Sequence, residues 1–103
     1  TEAQVQPLPP PEEPVFLPLR PNPFARRTEI RYGLPAEEEV VLTVYDLGGR
    51  LVTTLVNGRE TRGYHLAFWD GRDNKRGRAA SGVYFCLLKT CNLTRARRAL
   101  LIR

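Results

Sequence analysis

Methionine is absent from the chain, tryptophan and histidine occur once each, and no apolar run approaches the roughly 20 residues that a membrane-spanning helix needs. Helical periodicity of useful length is missing as well, so a helical bundle is excluded as the organising pattern. The single histidine, His65, has no serine or cysteine nucleophile that a motif would mark as its partner, which argues against a nucleophile, base and orienting-group triad. No glycine-rich stretch opens a helix, so a phosphate loop is not indicated. The two cysteines, Cys86 and Cys91, are too few for a disulfide framework. They read as unpaired residues, with a bridge across a hairpin as the alternative in an oxidising compartment. A structural zinc site wants four close ligands, and only His65 could add to these two. The expectation is a protein without catalysis, cofactor or metal.

What is present fits one ordinary domain. The 103 residues suffice for a single hydrophobic core, and 42% hydrophobic against 26% charged residues is a soluble-domain balance. Sixteen Lys and Arg against eleven Asp and Glu give a net charge of +5. The arginines are scattered over turns and strand ends, and only Arg95, Arg97 and Arg98 cluster, so a solubilising surface is favoured over nucleic-acid binding. An isolated domain of this kind is expected to be a monomer, without membrane insertion.

Residues 1–14 contain Pro7, Pro9, Pro10, Pro11 and Pro14 with Glu12 and Glu13. Proline fixes φ and removes the backbone donor, so this stretch is expected to be an extended linker from an upstream domain. From residue 15 onward, short β-type runs recur at intervals of roughly 8 to 12 residues between turn residues, the pattern of an all-β sandwich or barrel. Seven strands are predicted, at Val15–Leu19, Thr28–Leu34, Val40–Asp46, Leu51–Val56, Tyr64–Trp69, Gly82–Thr90 and Ala96–Ile102. Alternation assigns faces. Val40, Leu42 and Val44, with Leu51 of the next run, suit one face, and Val41, Thr43 and Tyr45 the other, which marks a central strand. Ile30 and Tyr32 alternate with Glu29 and Arg31, giving one wet face. In the sixth run Tyr84, Cys86 and Leu88 share a face opposite Val83, Phe85 and Leu87, and parity alone does not say which points inward.

Asp46, Gly48 and Gly49 predict a tight hairpin, because glycine takes positive φ without a Cβ clash. Asn57-Gly58 predicts a second hairpin on the same grounds. Asp70, Gly71, Asp73, Asn74 and Gly77 form a longer polar turn in which Asp and Asn accept from nearby N–H groups. Calcium is a poor fit to that turn, since Lys75 and Arg76 place positive charge inside it and no Glu closes it. Trp69 reads as a core residue whose indole N–H finds an acceptor.

Taken in order, Pro21-Asn22-Pro23-Phe24, Thr28-Glu29-Ile30-Arg31-Tyr32, Asp46-Leu47-Gly48-Gly49-Arg50, Trp69-Asp70-Gly71 and Ser81-Gly82-Val83-Tyr84-Phe85 resemble the FlgD-type immunoglobulin-like domain and the similar C-terminal sorting domain of type IX secretion cargo. The resemblance covers roughly residues 16–103 and implies a seven-stranded immunoglobulin-like antiparallel β-sandwich. It further implies a non-catalytic C-terminal module of a larger exported bacterial protein. Such a module is secreted or held at the cell surface after passing through the periplasm, and its partners are the secretion machinery or neighbouring domains. By resemblance the recognition residues are Arg97, Arg98, Leu100, Leu101, Ile102 and Arg103, with arginines where the family often has terminal lysines and Cys86 where an aromatic is common. Pro21, Asn22, Pro23, Phe24, Asp46, Gly49, Trp69, Asp70, Gly71, Gly82 and Tyr84 are the structural motif. Asn22, between two prolines, is expected to hydrogen-bond its own backbone while Phe24 anchors the turn on the sandwich edge. The alternatives are a FlgD-type assembly module and a carbohydrate- or ligand-binding sandwich, the last requiring Tyr64, Phe68 or Trp69 to be exposed.

Overall fold

A computed structural model describes residues 9–103. Seven strands follow one another as β1 (Val15–Phe16), β2 (Thr28–Leu34), β3 (Glu38–Asp46), β4 (Leu51–Glu60), β5 (Gly63–Trp69), β6 (Gly82–Lys89) and β7 (Thr94–Leu101). They form two antiparallel sheets, a three-stranded one in the order β1-β2-β5 and a four-stranded one in the order β4-β3-β6-β7. Two sheets and no barrel are what the spacing of runs and turns becomes, and the arrangement is the immunoglobulin-like sandwich that the resemblance implies. Of the proline-rich linker, residues 1–8 lie outside the described residues, and residues 9–14 carry no strand.

Period-two alternation explains why the sheets close on each other. Ile30, Tyr32 and Leu34 of β2 meet Val40, Leu42 and Val44 of β3, and Cys86 and Leu88 of β6, with each of these at most 1% exposed. The sixth run is thereby resolved, with Tyr84, Cys86 and Leu88 pointing inward. β3 lies between β4 and β6, as its two apolar faces require.

Three local expectations are corrected. β1 stops at Phe16: Leu17 still donates to the Arg31 carbonyl at 3.0 Å, but the register then slips, and pairing resumes at an isolated Arg20–Glu29 bridge. Asn57-Gly58 is not a hairpin. β4 runs straight through both residues to Glu60, opposite Val41 and Val40, since β3 supplies a partner that outweighs the local turn preference. The reversal falls instead between Glu60 and Gly63, where Gly63 takes φ 120°. Leu51 is on the outer face and 45% exposed, because it pairs with Tyr45 after a register shift between Val44 and Tyr45.

The cysteines are not bridged. Cys86 is fully buried between the sheets, where desolvation pushes its thiol up to about 12. Cys91 is exposed, and its thiol donates to a Glu38 carboxylate oxygen at 3.2 Å, a hydrogen bond that raises its pKa too. A disulfide-exchange reagent at neutral pH is therefore expected to label one thiol slowly in the native protein and two in denaturant. Two fast native equivalents would contradict the placement of Cys86.

Candidate functional site

The motif residues are spread along the sequence, yet the fold gathers most of them at one end, around the finish of β7. Trp69, at the end of β5, is fully buried with its ring centroid 5.4 Å from Phe24 and 5.0 Å from Tyr84, the latter edge-on. Its indole N–H donates to the Arg72 carbonyl at 3.0 Å, so the large apolar ring is buried without an orphaned donor. The Tyr84 hydroxyl donates to the Ala80 carbonyl at 2.6 Å. Burial raises the Tyr84 phenol above its ordinary range, the Asp46 carboxylate adds to this, and Arg103 opposes it. The three rings tie the polar loop after β5, the segment before β2 and the start of β6 into one cluster.

β7 is an edge strand, paired with β6 from Lys89–Thr94 to Gly82–Leu101. Its free edge is closed over the C-terminal half by an unusual device. Asn22 donates through Nδ2 to the Arg98 carbonyl at 2.8 Å and accepts the Leu100 N–H on Oδ1 at 2.9 Å. Phe24 then takes over with its backbone, donating to the Leu100 carbonyl at 2.9 Å and accepting the Ile102 N–H at 2.8 Å. The Asn22 amide thus stands in for one peptide of a neighbouring strand, placed there by a turn whose Arg20-Pro21 and Asn22-Pro23 bonds are both cis. The expectation that Asn22 bonds its own backbone is corrected: its flanking prolines leave few local donors, and the β7 edge offers an N–H and a C=O at amide spacing. Phe24 anchors the turn as expected and is 2% exposed.

Beyond β7 the chain is fastened by Arg103. Its backbone N–H donates to the Ser81 hydroxyl at 3.0 Å, its Nε to the Ala79 carbonyl at 3.0 Å and its Nη2 to the Gly71 carbonyl at 2.6 Å. Gly71 adopts φ 77°, and a Cβ there would lie 2.6 Å from that Nη2 and 3.3 Å from Leu101. The glycine is thus required both for its backbone conformation and for the approach of the last arginine.

Of the residues expected to carry recognition, Leu101 is fully buried core and Leu100 is half-buried, whereas Arg98 and Ile102 are exposed. Arg97 reaches across the sandwich and donates to the Phe16 carbonyl from Nε at 3.0 Å and Nη2 at 2.6 Å. The six fall within residues 97–103 and do not form one surface. The remaining motif residues are structural in the way their types suggest. Asp46 caps the β3–β4 turn by accepting the Arg50 N–H at 2.8 Å, and Gly49 supplies φ 88°. Asp70 accepts the Arg72 N–H at 3.2 Å, and Asp73 accepts those of Lys75 and Gly77 at 2.9 and 2.8 Å, the Asx-type geometry expected of that loop. His65 stacks on Tyr32 and sits between the Glu60 carboxylate and the Thr61 carbonyl, with no nucleophile among its partners. Among the described residues no cluster of three or more His, Cys, Asp or Glu could hold a metal ion. The part played by Arg103 carries no sequence signal, because its partners lie 22 to 32 residues away.

A family model for the FlgD Ig-like domain matches residues 25–90. The chain belongs to the FlgD Ig-like domain family. The FlgD Ig-like match spans β2 to β6, so the Asn22 turn and β7 lie on either side of it. Among solved structures, that of dimeric latent PorU from Porphyromonas gingivalis is similar, with a TM-score of 0.67 and 20% identity over 86% of this chain. At that identity the likeness is one of fold, and the chain spans 9% of the length of the PorU chain. No curated protein matches the sequence.

Proposed function

We propose that this FlgD Ig-like domain is a non-catalytic module of a larger exported protein, acting in secretion sorting or cell-surface attachment, with β7 and the residues after it as the recognised element. The observation that carries the reading is the division of labour along the last ten residues. Ala99 and Leu101 fill the core and Arg103 is tied to the Gly71 loop, while Arg95, Arg98 and Ile102 face solvent on a strand held at the sheet edge. A partner could read those exposed groups without unfolding the domain. The PorU likeness, domain-sized within a far longer chain, supports a module attached to other domains, with residues 1–14 as the connecting linker. The secretion machinery or neighbouring domains would then be its partners, and the cell surface or exterior its destination.

The test separates recognition from folding. Truncation after Arg95 removes Ala99 and Leu101 and would destroy the sandwich whatever its role, so surface substitutions are the informative ones. A reporter fused ahead of residues 1–103 in a bacterium with a type IX system is expected to reach the surface. Arg98→Glu with Ile102→Ser should abolish most of that delivery while leaving the melting temperature within a few degrees of the parent, since exposed positions contribute little stability. Equal delivery by parent and variant would overturn sorting through this strand.

The family model itself favours a second reading, a FlgD-type assembly module that scaffolds subunits of an extracellular structure. Under that reading the same double variant is exported normally, and the purified domain binds the assembling subunits.

A further inference from the structure

A cleft of 340 Å³ opens beside the Trp69 cluster, walled by β4 on one side and by the loop after β5 on the other. Its size is at the small end for ligand clefts. The loop is fixed to the strand by a hydrogen bond from the Asn74 N–H to the Val52 carbonyl at 2.9 Å, so the walls are held apart by backbone and not by long side chains.

Three guanidinium groups, those of Arg27, Arg72 and Arg76, line this cleft. Arg27 lies 4.4 Å over the ring of Phe68, a stacking contact that uses the guanidinium face and leaves its in-plane N–H donors available. Asp70 accepts the Arg72 N–H on Oδ1, while its Oδ2 sits 3.8 Å from both Arg72 Nε and Arg76 Nη2, close enough to orient them but too far to take up their donors as hydrogen bonds. The other carboxylate of the lining, Asp73, is committed to the Lys75 and Gly77 N–H groups. The unspent chemistry is therefore donor-rich and cationic, with one free acceptor.

Arg76 adds an independent sign. It is the one non-glycine residue with positive φ among the described residues, at 67°, although Gly77 stands next to it. A non-glycine residue in the left-handed region carries a clash between its Cβ and the following carbonyl, and such outliers collect at binding sites. Its backbone carbonyl accepts from Arg72 Nη1 at 3.0 Å, which ties the Arg72 guanidinium to the Arg76 backbone and leaves the Arg76 guanidinium free of that bond.

We propose that this cleft binds an acidic saccharide unit, a sugar ring bearing a carboxylate. Planar guanidiniums match a carboxylate in a bidentate fork. An inorganic oxyanion would leave the Asp70 acceptor and the Thr54 hydroxyl without use, whereas ring hydroxyls satisfy both. Phe68, 39% exposed at the rim, keeps an apolar edge for the sugar's C–H groups beside the face that Arg27 covers. Trp69 contributes to the cleft floor but stays in the core, so the saccharide role falls to Phe68. The proposal is independent of the sorting reading, since it uses neither β7 nor the residues after it.

Calorimetric titration of the whole domain with a glucuronic-acid-containing disaccharide, with the neutral glucose disaccharide and with sodium sulfate decides it. The uronate is expected to bind at least tenfold more tightly than either of the others. Arg76→Gly should weaken uronate binding at least tenfold and leave the melting temperature equal or higher, because glycine accepts that φ without strain. A purely structural Arg76 would give the stability change without the binding change. Arg27→Gln should weaken binding while the distant Arg59→Gln does not. Absence of binding, sulfate or neutral disaccharide binding as tightly as uronate, or unchanged binding in Arg76→Gly each overturns the proposal.

Discussion

Trp69→Ala is expected to destabilise the domain by about 3–5 kcal/mol, the usual cost of deleting a large buried aromatic. Against a total of about 5–15 kcal/mol for a small domain, that is enough to leave a sizeable unfolded population in mild denaturant. The ring is fully buried between Phe24 and Tyr84, and no neighbour can move in to fill the space without breaking another contact of the cluster. Deleting it also frees the Arg72 carbonyl and loosens Phe24, whose backbone closes the β7 edge. Urea unfolding is the measurement, with Trp69→Phe beside it. The phenylalanine variant keeps most of the packing but loses the indole hydrogen bond, and should cost about 1–2 kcal/mol beyond the lost area. A loss below about 1 kcal/mol for the alanine variant would contradict burial of the ring.

The sequence made the sandwich readable because alternation is a strong signal when one face is dry. Ile30 and Tyr32 against Glu29 and Arg31, and Val40, Leu42 and Val44 against a less buried set, have no second arrangement that hides as much apolar surface. Asn57-Gly58 misled because hairpin preference is local and weak, and a long partner in β3 overrules it. The Asn22 turn was visible as a motif but not in its purpose. Nothing in Pro-Asn-Pro-Phe specifies that the amide reaches Arg98 and Leu100, some 76 to 78 positions later. The recognition residues were legible as one short segment near the end of β7, whereas burial sorts them into core, brace and surface. The cleft at Arg27, Arg72 and Arg76 was illegible for the same reason, since it joins residues from three separate segments. Exposed Tyr64 and Phe68, at 45% and 39%, meet the condition set for a saccharide-binding sandwich, and Trp69 does not.

Gly71→Ala is the second large effect, expected at about 2 kcal/mol: a non-glycine residue at φ 77° costs about 1–2 kcal/mol, and the steric conflict adds to it. The added Cβ would meet Arg103 Nη2 at 2.6 Å and must push the arginine off the Gly71 carbonyl. A double-mutant cycle separates the two parts. Arg103→Ala alone should cost less than about 1 kcal/mol, because the side chain is largely exposed and water replaces its partners. In the Arg103→Ala background Gly71→Ala retains its conformational cost and the 3.3 Å approach to Leu101 but loses the conflict with the guanidinium, so a smaller effect there than in the parent measures the coupling. Additive effects would mean that Arg103 gives way without cost and does not fasten the end of the chain. A double variant that loses less than the sum of the two single losses would instead make residues 71 and 103 a latch on the last strand. Variants at Gly71 should then alter presentation of Ile102 and Arg98 in the export assay without touching either residue, a link between core geometry and recognition that the surface substitutions alone cannot reveal.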